Sequence, residues 1–288
     1  MKKHGKAGKL RVLAGAGFIL CSCLLLYPTA SNLWNAHVDR RLISRYEKKA
    51  EQISDSRYVE MIESAAAYNQ QLAIKSSNSI TGKMNEKNAA YEEQLNLMQD
   101  GVIGYIEIPC INLTAPVYHY STEDSLSKGI GHISTSSLPI GGTDTHAVLT
   151  GHRGLPNQKL FTDLDKIREG DIFSLHVLGR KLYYRVSAIQ TVEPEDTDIL
   201  KIEKDQDLVT LVTCTPYGIN THRLLITGQR VPHSEAVKDE SVPASRESVD
   251  YGLIAFAGFT VFLGISTIIN AFRKKKERRR KHHENSIS

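Results

Sequence analysis

The sequence predicts a mainly β protein: a small closed or nearly closed barrel with short helices, preceded by a helical segment and flanked by two membrane-spanning helices. Three observations carry this reading. From Gly101 to Pro232 the chain is a succession of short β-branched and aromatic runs punctuated by turn residues. From Asn35 to Met98 it is polar, with apolar residues at helical spacing. At each end an uncharged apolar run stands beside a cluster of basic residues.

Residues 1–11 form a basic tail containing Lys2, Lys3, Lys6, Lys9 and Arg11, and residues 12–30 carry no charge. Residues 251–272 are again uncharged and precede a tail, 273–288, that contains Arg273-Lys274-Lys275-Lys276 and Arg278-Arg279-Arg280-Lys281. A bilayer core takes about 20 apolar residues of helix, so both runs qualify as spans. Basic flanks stay in the cytoplasm, which puts both termini inside and the intervening segment outside the cell. A cleaved signal peptide is the alternative for the first run, but Pro28-Thr29-Ala30 makes a poor cleavage site. The lipoprotein-like pattern Leu20-Cys21-Ser22-Cys23 is faint, because the apolar run continues past it.

The formal net charge of +4 comes from the tails, which hold 13 of the 36 basic residues and 2 of the 32 acidic ones. What remains has 23 basic against 30 acidic residues, a net of −7, and no nucleic-acid partner is expected. Only Cys110 and Cys214 lie between the spans, too few for a disulfide framework. There is no Cys/His cluster with metal-ligand spacing and no Gly-rich phosphate loop, so no metal and no cofactor is expected.

In the segment 31–100, Tyr46, Ile53, Tyr58, Ile62 and Ala66 give a helical stripe that Ser76 to Gly82 interrupts. It reads as a stalk that lifts the following domain off the membrane, or as a segment that also packs over the site. Candidate strands of the 101–232 domain are 104–108, 115–118, 147–150, 171–177, 182–192, 208–214 and 221–231, with short helices near 122–129 and 160–167. Residues 233–250 are polar and read as a linker.

The chemistry concentrates at strand ends. Cys214 closes the run Leu208-Val209-Thr210-Leu211-Val212-Thr213 and is followed by Thr215-Pro216-Tyr217-Gly218. Arg223 lies on the next run, so a hairpin would bring thiol and guanidinium together across strands about 5 Å apart. His152 follows the strand ending at Thr150, between Gly151 and Arg153-Gly154. A thiol, an imidazole and a guanidinium at strand ends form a constellation for nucleophilic acyl transfer. Because successive strand residues face opposite ways, His222 faces away if Arg223 faces Cys214. His132 is a rival base and is expected to pack or hydrogen-bond instead. His119, His146 and His176 stand without evident partners in the sequence, and Cys110 reads as a small buried hydrophobe.

Thr210-Leu211-Val212-Thr213-Cys214 is similar to the Thr-Leu-x-Thr-Cys signature of sortases, the cysteine transpeptidases of Gram-positive surfaces. Thr150-Gly151-His152-Arg153-Gly154 resembles their histidine motif, and Arg223 falls where their arginine follows the cysteine. Gly129-Ile130-Gly131-His132, Ser137 to Gly142 and Leu160 to Asp165 resemble the family too. Read singly, Cys214 is a structural cysteine, His152 a turn histidine and Arg223 a solvated charge; the combined motifs reverse those readings.

The resemblance implies an eight-stranded sortase barrel in which Cys214 is the nucleophile, His152 the acid/base and Arg223 the oxyanion donor. Class C sortases, the pilin polymerases, commonly have a second, C-terminal span. The implied reaction is cleavage of a Leu-Pro-x-Thr-Gly-like sorting signal between Thr and Gly, with transfer through a thioester to a pilin lysine amine. The alternatives are a sortase that anchors surface proteins to peptidoglycan and a catalytically silent, membrane-tethered scaffold that binds pilin subunits. Many pilin polymerases carry an Asp-Pro-aromatic lid. This chain has no Asp-Pro pair, and residues 76–98 occupy the lid's place, with Tyr91 and Met98 as the candidate plugs.

Overall fold

The computed structural model describes residues 3–76, 86–239 and 251–284. It divides into two compact units, residues 34–247 and residues 1–33 with 248–288.

The larger unit is a closed barrel. In chain order its strands are β1 (Val102–Ile108), β2 (Leu113–Tyr118), β3 (Ile130–His132), β4 (Thr145–Thr150), β5 (Ile172–Val177), β6 (Arg180–Val192), β7 (Asp207–Thr215) and β8 (His222–Val231). Around the barrel the order is β1-β2-β3-β4-β7-β8-β6-β5, closed by β1 on β5. The β2–β3 and β4–β7 pairs are parallel and the rest antiparallel. Seven of these strands are the runs read from the sequence. The eighth, β3, is three residues long and half-hidden in Gly129-Ile130-Gly131-His132, too short and too Gly-rich for a period-2 pattern to register.

Alternation divides each strand between two environments. Val209 and Leu211 of β7 join Leu149, Phe161, Phe173, Leu224 and Ile226 in the main core. Their neighbour Val212 points the other way, into a satellite cluster with Ile133, Val148, Leu200 and Leu225, edged by Val192 and Ile199.

The helices near 122–129 and 160–167 are present as an α-helix over Glu123–Leu126, capped by Thr122, and a 3-10 helix over Leu160–Lys166. The preceding helical segment is tied to the barrel. Helix α1 (Lys3–Gln52) carries Tyr46, whose hydroxyl donates to Ile103 O and accepts from Leu178 N, both at 3.0 Å. Helix α2 (Asp55–Ser76) carries Asn69, which pairs with Leu138 N and O at 2.7 and 3.1 Å. A short helix, α3 (Ala89–Glu92), seats Tyr91 in the main core. Helix α4 is Glu123–Leu126.

After the barrel, α5 (His233–Asp239) packs Ala236 against Ile172 and Tyr183, so the described part of the expected linker is helical; residues 240–250 lie outside the described residues.

In the smaller unit the apolar part of α1 meets α6 (Tyr251–Glu284). Gly15 and Gly264 face each other so closely that a Cβ on Gly264 would lie 2.9 Å from Gly15 O. Ser22 and Thr260 hydroxyls hydrogen-bond across the same seam. Among the described residues one helical stretch, Val12–Gln52, is long and apolar enough to cross a membrane, with a mean hydropathy of 1.9 over its most apolar window. The apolar stretch in α6, Gly258–Asn270, is shorter.

Candidate active site

Cys214 and Arg223 are direct partners across the β7–β8 pair, and Thr215 is opposite His222. Directly opposed residues share a face. Cys214 and Arg223 therefore lie on the face of Val212 and Leu225, outside the main core and beside the satellite cluster. His222 lies on the opposite face; its Nε2 stands 3.2 Å from Glu193 Oε1 and its Nδ1 bonds the Thr221 hydroxyl at 2.8 Å. Arg223 Nη1 donates to the carbonyls of His222 (3.1 Å) and Asn220 (3.3 Å), which holds the fork at the mouth of the β7–β8 turn.

The histidine arrives from the neighbouring strand. The β4–β7 pairing puts Thr150 opposite Val212, and Gly151 N continues it by donating to Val212 O at 3.1 Å. Thr213 Oγ1 donates back to Gly151 O at 2.8 Å. His152 is thus delivered alongside the last residues of β7. Its carbonyl accepts from Phe161 N at 3.2 Å, and its ring is 30% exposed. Nε2 is 3.5 Å from Glu123 Oε2, an ion-pair separation and too long for a hydrogen bond; otherwise Nε2 is buried without a partner among the described residues. Glu123 itself is 83% exposed.

The rival histidines have other roles. His132 is fully buried, with Nδ1 at 2.7 Å from Tyr91 OH and Nε2 at 2.8 Å from Ser137 O. Desolvation pushes its pKa down to about 4, so it stays neutral. His119, His146 and His176, which the sequence leaves without partners, are all partnered. His119 Nε2 bonds Gln94 O, His146 bonds Lys201 O and Thr210, and His176 bonds Glu107. Their partners are distant in sequence, which is why inspection of the chain misses them.

No disulfide joins the cysteines. Cys110 sits in the 3-10 turn Pro109–Ile111, where burial and the Asp171 carboxylate push its thiol up to about 12. Among the described residues no group of three or more His, Cys, Asp or Glu could hold a metal ion. Sequence reading missed Arg153, whose guanidinium joins the two strand ends, and the satellite apolar cluster, which forms only when β4, β7, β8 and the 199–200 turn meet.

A closed eight-stranded barrel that brings a thiol, an imidazole and a guanidinium to adjoining strand ends has the architecture of a sortase. The chain belongs to the sortase family of cysteine transpeptidases: the Sortase domain model matches residues 106–231. Sortase C1 of Streptococcus agalactiae is 44% identical with a TM-score of 0.63, over 67% of this chain and 98% of that one. A Clostridium perfringens sortase C, solved with the C-terminal cell wall sorting motif, is 43% identical with a TM-score of 0.58, again over 67% and 98%. Sortase D of Bacillus subtilis is 28% identical over 164 residues, which is 56% of this chain and 80% of that protein.

Proposed function

We propose that the chain is a class C, pilin-polymerising sortase held by two membrane spans, residues 12–30 and 251–272, with the barrel outside the cell and both termini cytoplasmic. The observation that carries the chemistry is the register of β7 on β8, with Cys214 opposite Arg223 and β4 delivering His152 alongside. Support for the class comes from similarity to sortases C at 43–44% identity. The sortase C of Streptococcus pneumoniae, 41% identical, is described in terms of pilin substrate specificity. Support for the second span comes from the 22 uncharged residues 251–272, the basic tail beyond them and the Gly15–Gly264 seam.

His152 takes the Cys214 proton, and the thiolate attacks the Thr carbonyl carbon of a Leu-Pro-x-Thr-Gly-like signal. Arg223 donates to the oxyanion that forms. Collapse breaks the Thr–Gly bond, and the departing Gly amine takes the proton from His152. A pilin lysine Nζ then attacks the thioester, its proton passes to His152, and an isopeptide bond forms as the thiol is released. The apolar wall of Val192, Leu200, Val212 and Leu225 continues the face of Cys214 and suits the leucine of the signal.

The test is to incubate the full chain in detergent with a sorting-signal peptide and either a lysine-bearing pilin or a peptidoglycan cross-bridge amine, and to read products by mass spectrometry. A Cys214 thioester followed by a pilin isopeptide is expected. Exclusive transfer to the cross-bridge amine identifies an anchoring enzyme, and binding without any thioester identifies a silent scaffold.

A further inference from the structure

Arg153, the residue after His152, is built into the junction between the histidine loop and the cysteine strand. Its Nη1 donates to Thr215 Oγ1 at 3.1 Å and its Nη2 meets Asp165 Oδ2 at 2.5 Å. Its guanidinium carbon stands 5.9 Å from the centroid of the Tyr217 ring. Thr215 follows Cys214, Tyr217 lies in the turn beyond it, and Asp165 belongs to the 3-10 helix Leu160–Lys166. One side chain therefore spans three segments of chain. It is only 8% exposed, and its Nε is buried without a hydrogen-bond partner among the described residues. Taking a guanidinium out of water with one N–H unmatched costs free energy, so this is not a charge placed for solubility.

The backbone around it is fastened in the same sense. Gly154 N donates to Thr162 Oγ1 at 3.1 Å. Gly154 has φ +84, and a Cβ there would come within 2.9 Å of the Tyr217 ring, so the loop rests directly on the turn that leaves Cys214. We propose that Arg153 is a positioning residue. It ties the peptide after His152 to the residue after Cys214 and so fixes the ring at the distance that proton exchange with the thiol requires. A proton passes only within hydrogen-bond reach, and a misplacement of about 1 Å costs about 100-fold in rate. Only a planar fork meets Thr215 and Asp165 at once; a lysine would hold one of them. The inference rests on the reading of Cys214 and His152 as nucleophile and base.

The charged groups beside the pair are Glu123 from α4, Arg223 from β8, and Arg153 with Asp165; only Arg153 or its contacts change in the test. In the full chain, Arg153→Met should lower kcat for peptide transfer by about 30-fold or more with KM within about threefold, since the lost interaction orients the catalytic groups without touching substrate. Arg153→Lys should recover only part of the rate. Thr215→Val, which removes one contact and leaves the ion pair, should keep the melting temperature and still lower kcat about fivefold or more, a fraction of the full positioning effect. It decides the matter if Arg153→Met fails to fold. Full kcat in Thr215→Val, or in folded Arg153→Met, overturns the inference. Cys214→Ala, run in parallel, separates the two layers: an acyl adduct that survives there refutes the nucleophile reading, whereas a dead Cys214→Ala beside fully active Arg153→Met and Thr215→Val refutes the positioning role alone.

Discussion

At the scale of single residues, environment separates the two cysteines that lie between the apolar runs. Cys110 is held protonated by burial and a neighbouring carboxylate, whereas Cys214 ends a strand opposite a guanidinium. Cys214→Ala should therefore abolish the covalent peptide adduct while the barrel stays folded; an adduct that persists and maps to Cys110 would overturn the assignment. His152→Ala and Arg223→Ala should each cost at least about 100-fold, as when an acid/base or an oxyanion donor is removed. Glu123→Gln should cost less than about threefold, because an ion pair with a largely exposed partner is worth about 1 kcal/mol or less. A loss of 100-fold there would make Glu123 a full partner of the base. The strand-end thiol, the Gly-flanked histidine and the hairpin arginine were all legible in the sequence, since each depends on local pattern. The fates of His119, His146 and His176 were not, because each finds its partner through tertiary contacts.

At the scale of elements, the helical segment was legible as helix, but its docking was not. Periodicity marks a face and cannot say what meets it. Tyr91 shows the consequence: a residue that the sequence left as a possible plug is enclosed in the main core, across the sheet from the face of Cys214. Met98 is likewise packed near Ile43, Tyr46 and Val102. Tyr91→Phe strips the hydroxyl partner of His132 Nδ1 and should destabilise the barrel by about 1–3 kcal/mol, while Tyr91→Ala should cost about 3–5 kcal/mol. Denaturant midpoints would measure both; a Tyr91→Ala protein as stable as the parent would mean the segment is not anchored there. A truncation starting near Gly101 consequently removes part of the core and is unsuited to asking whether a lid exists. Of residues 76–98, which occupy the lid's place, 77–85 lie outside the described residues.

Two carboxyl groups on these elements give the barrel opposing acid responses. Glu107 on β1 is lowered to about 2 by hydrogen bonds from His176 and Lys181. A depressed carboxyl stabilises above its ordinary value of 4.5, and that contribution is lost as pH falls from 4.5 through about 2. Asp39 on α1 is raised to about 6 by burial, with Gln158 as its partner. The folded state then binds the extra proton between pH 3.8 and about 6, so this group lowers stability as pH rises through that window. Stability should peak near pH 4 to 5 if these two groups dominate. Asp39→Asn should flatten the neutral limb and leave the acid limb intact, which melting temperatures from pH 3 to 8 would reveal. An unchanged slope between pH 4 and 6 in that variant would exclude Asp39 as its source.

At the scale of the whole molecule, the question is whether α6 crosses the membrane as α1 is read to do. Its most apolar stretch, Gly258–Asn270, is short for a bilayer core, yet the uncharged run 251–272 corresponds to about 33 Å of helix, enough to span. The contact with α1 bears on this. Helices in lipid associate through small residues and hydroxyl pairs, and here Gly15 meets Gly264 while Ser22 meets Thr260. With Cys21 and Cys23 replaced by Ala, the pair Ser22→Cys and Thr260→Cys should cross-link on oxidation in native membranes. Adding Gly264→Leu should suppress that cross-link, because the new side chain would collide with the Gly15 carbonyl. In the proposed topology the eight basic residues after 272 favour a cytoplasmic C-terminus. An epitope added after Ser288 should therefore resist protease in intact protoplasts and be lost only after lysis, while the barrel is cut in both. An epitope shaved from intact protoplasts would leave α6 on the outer side and reduce the protein to a single span.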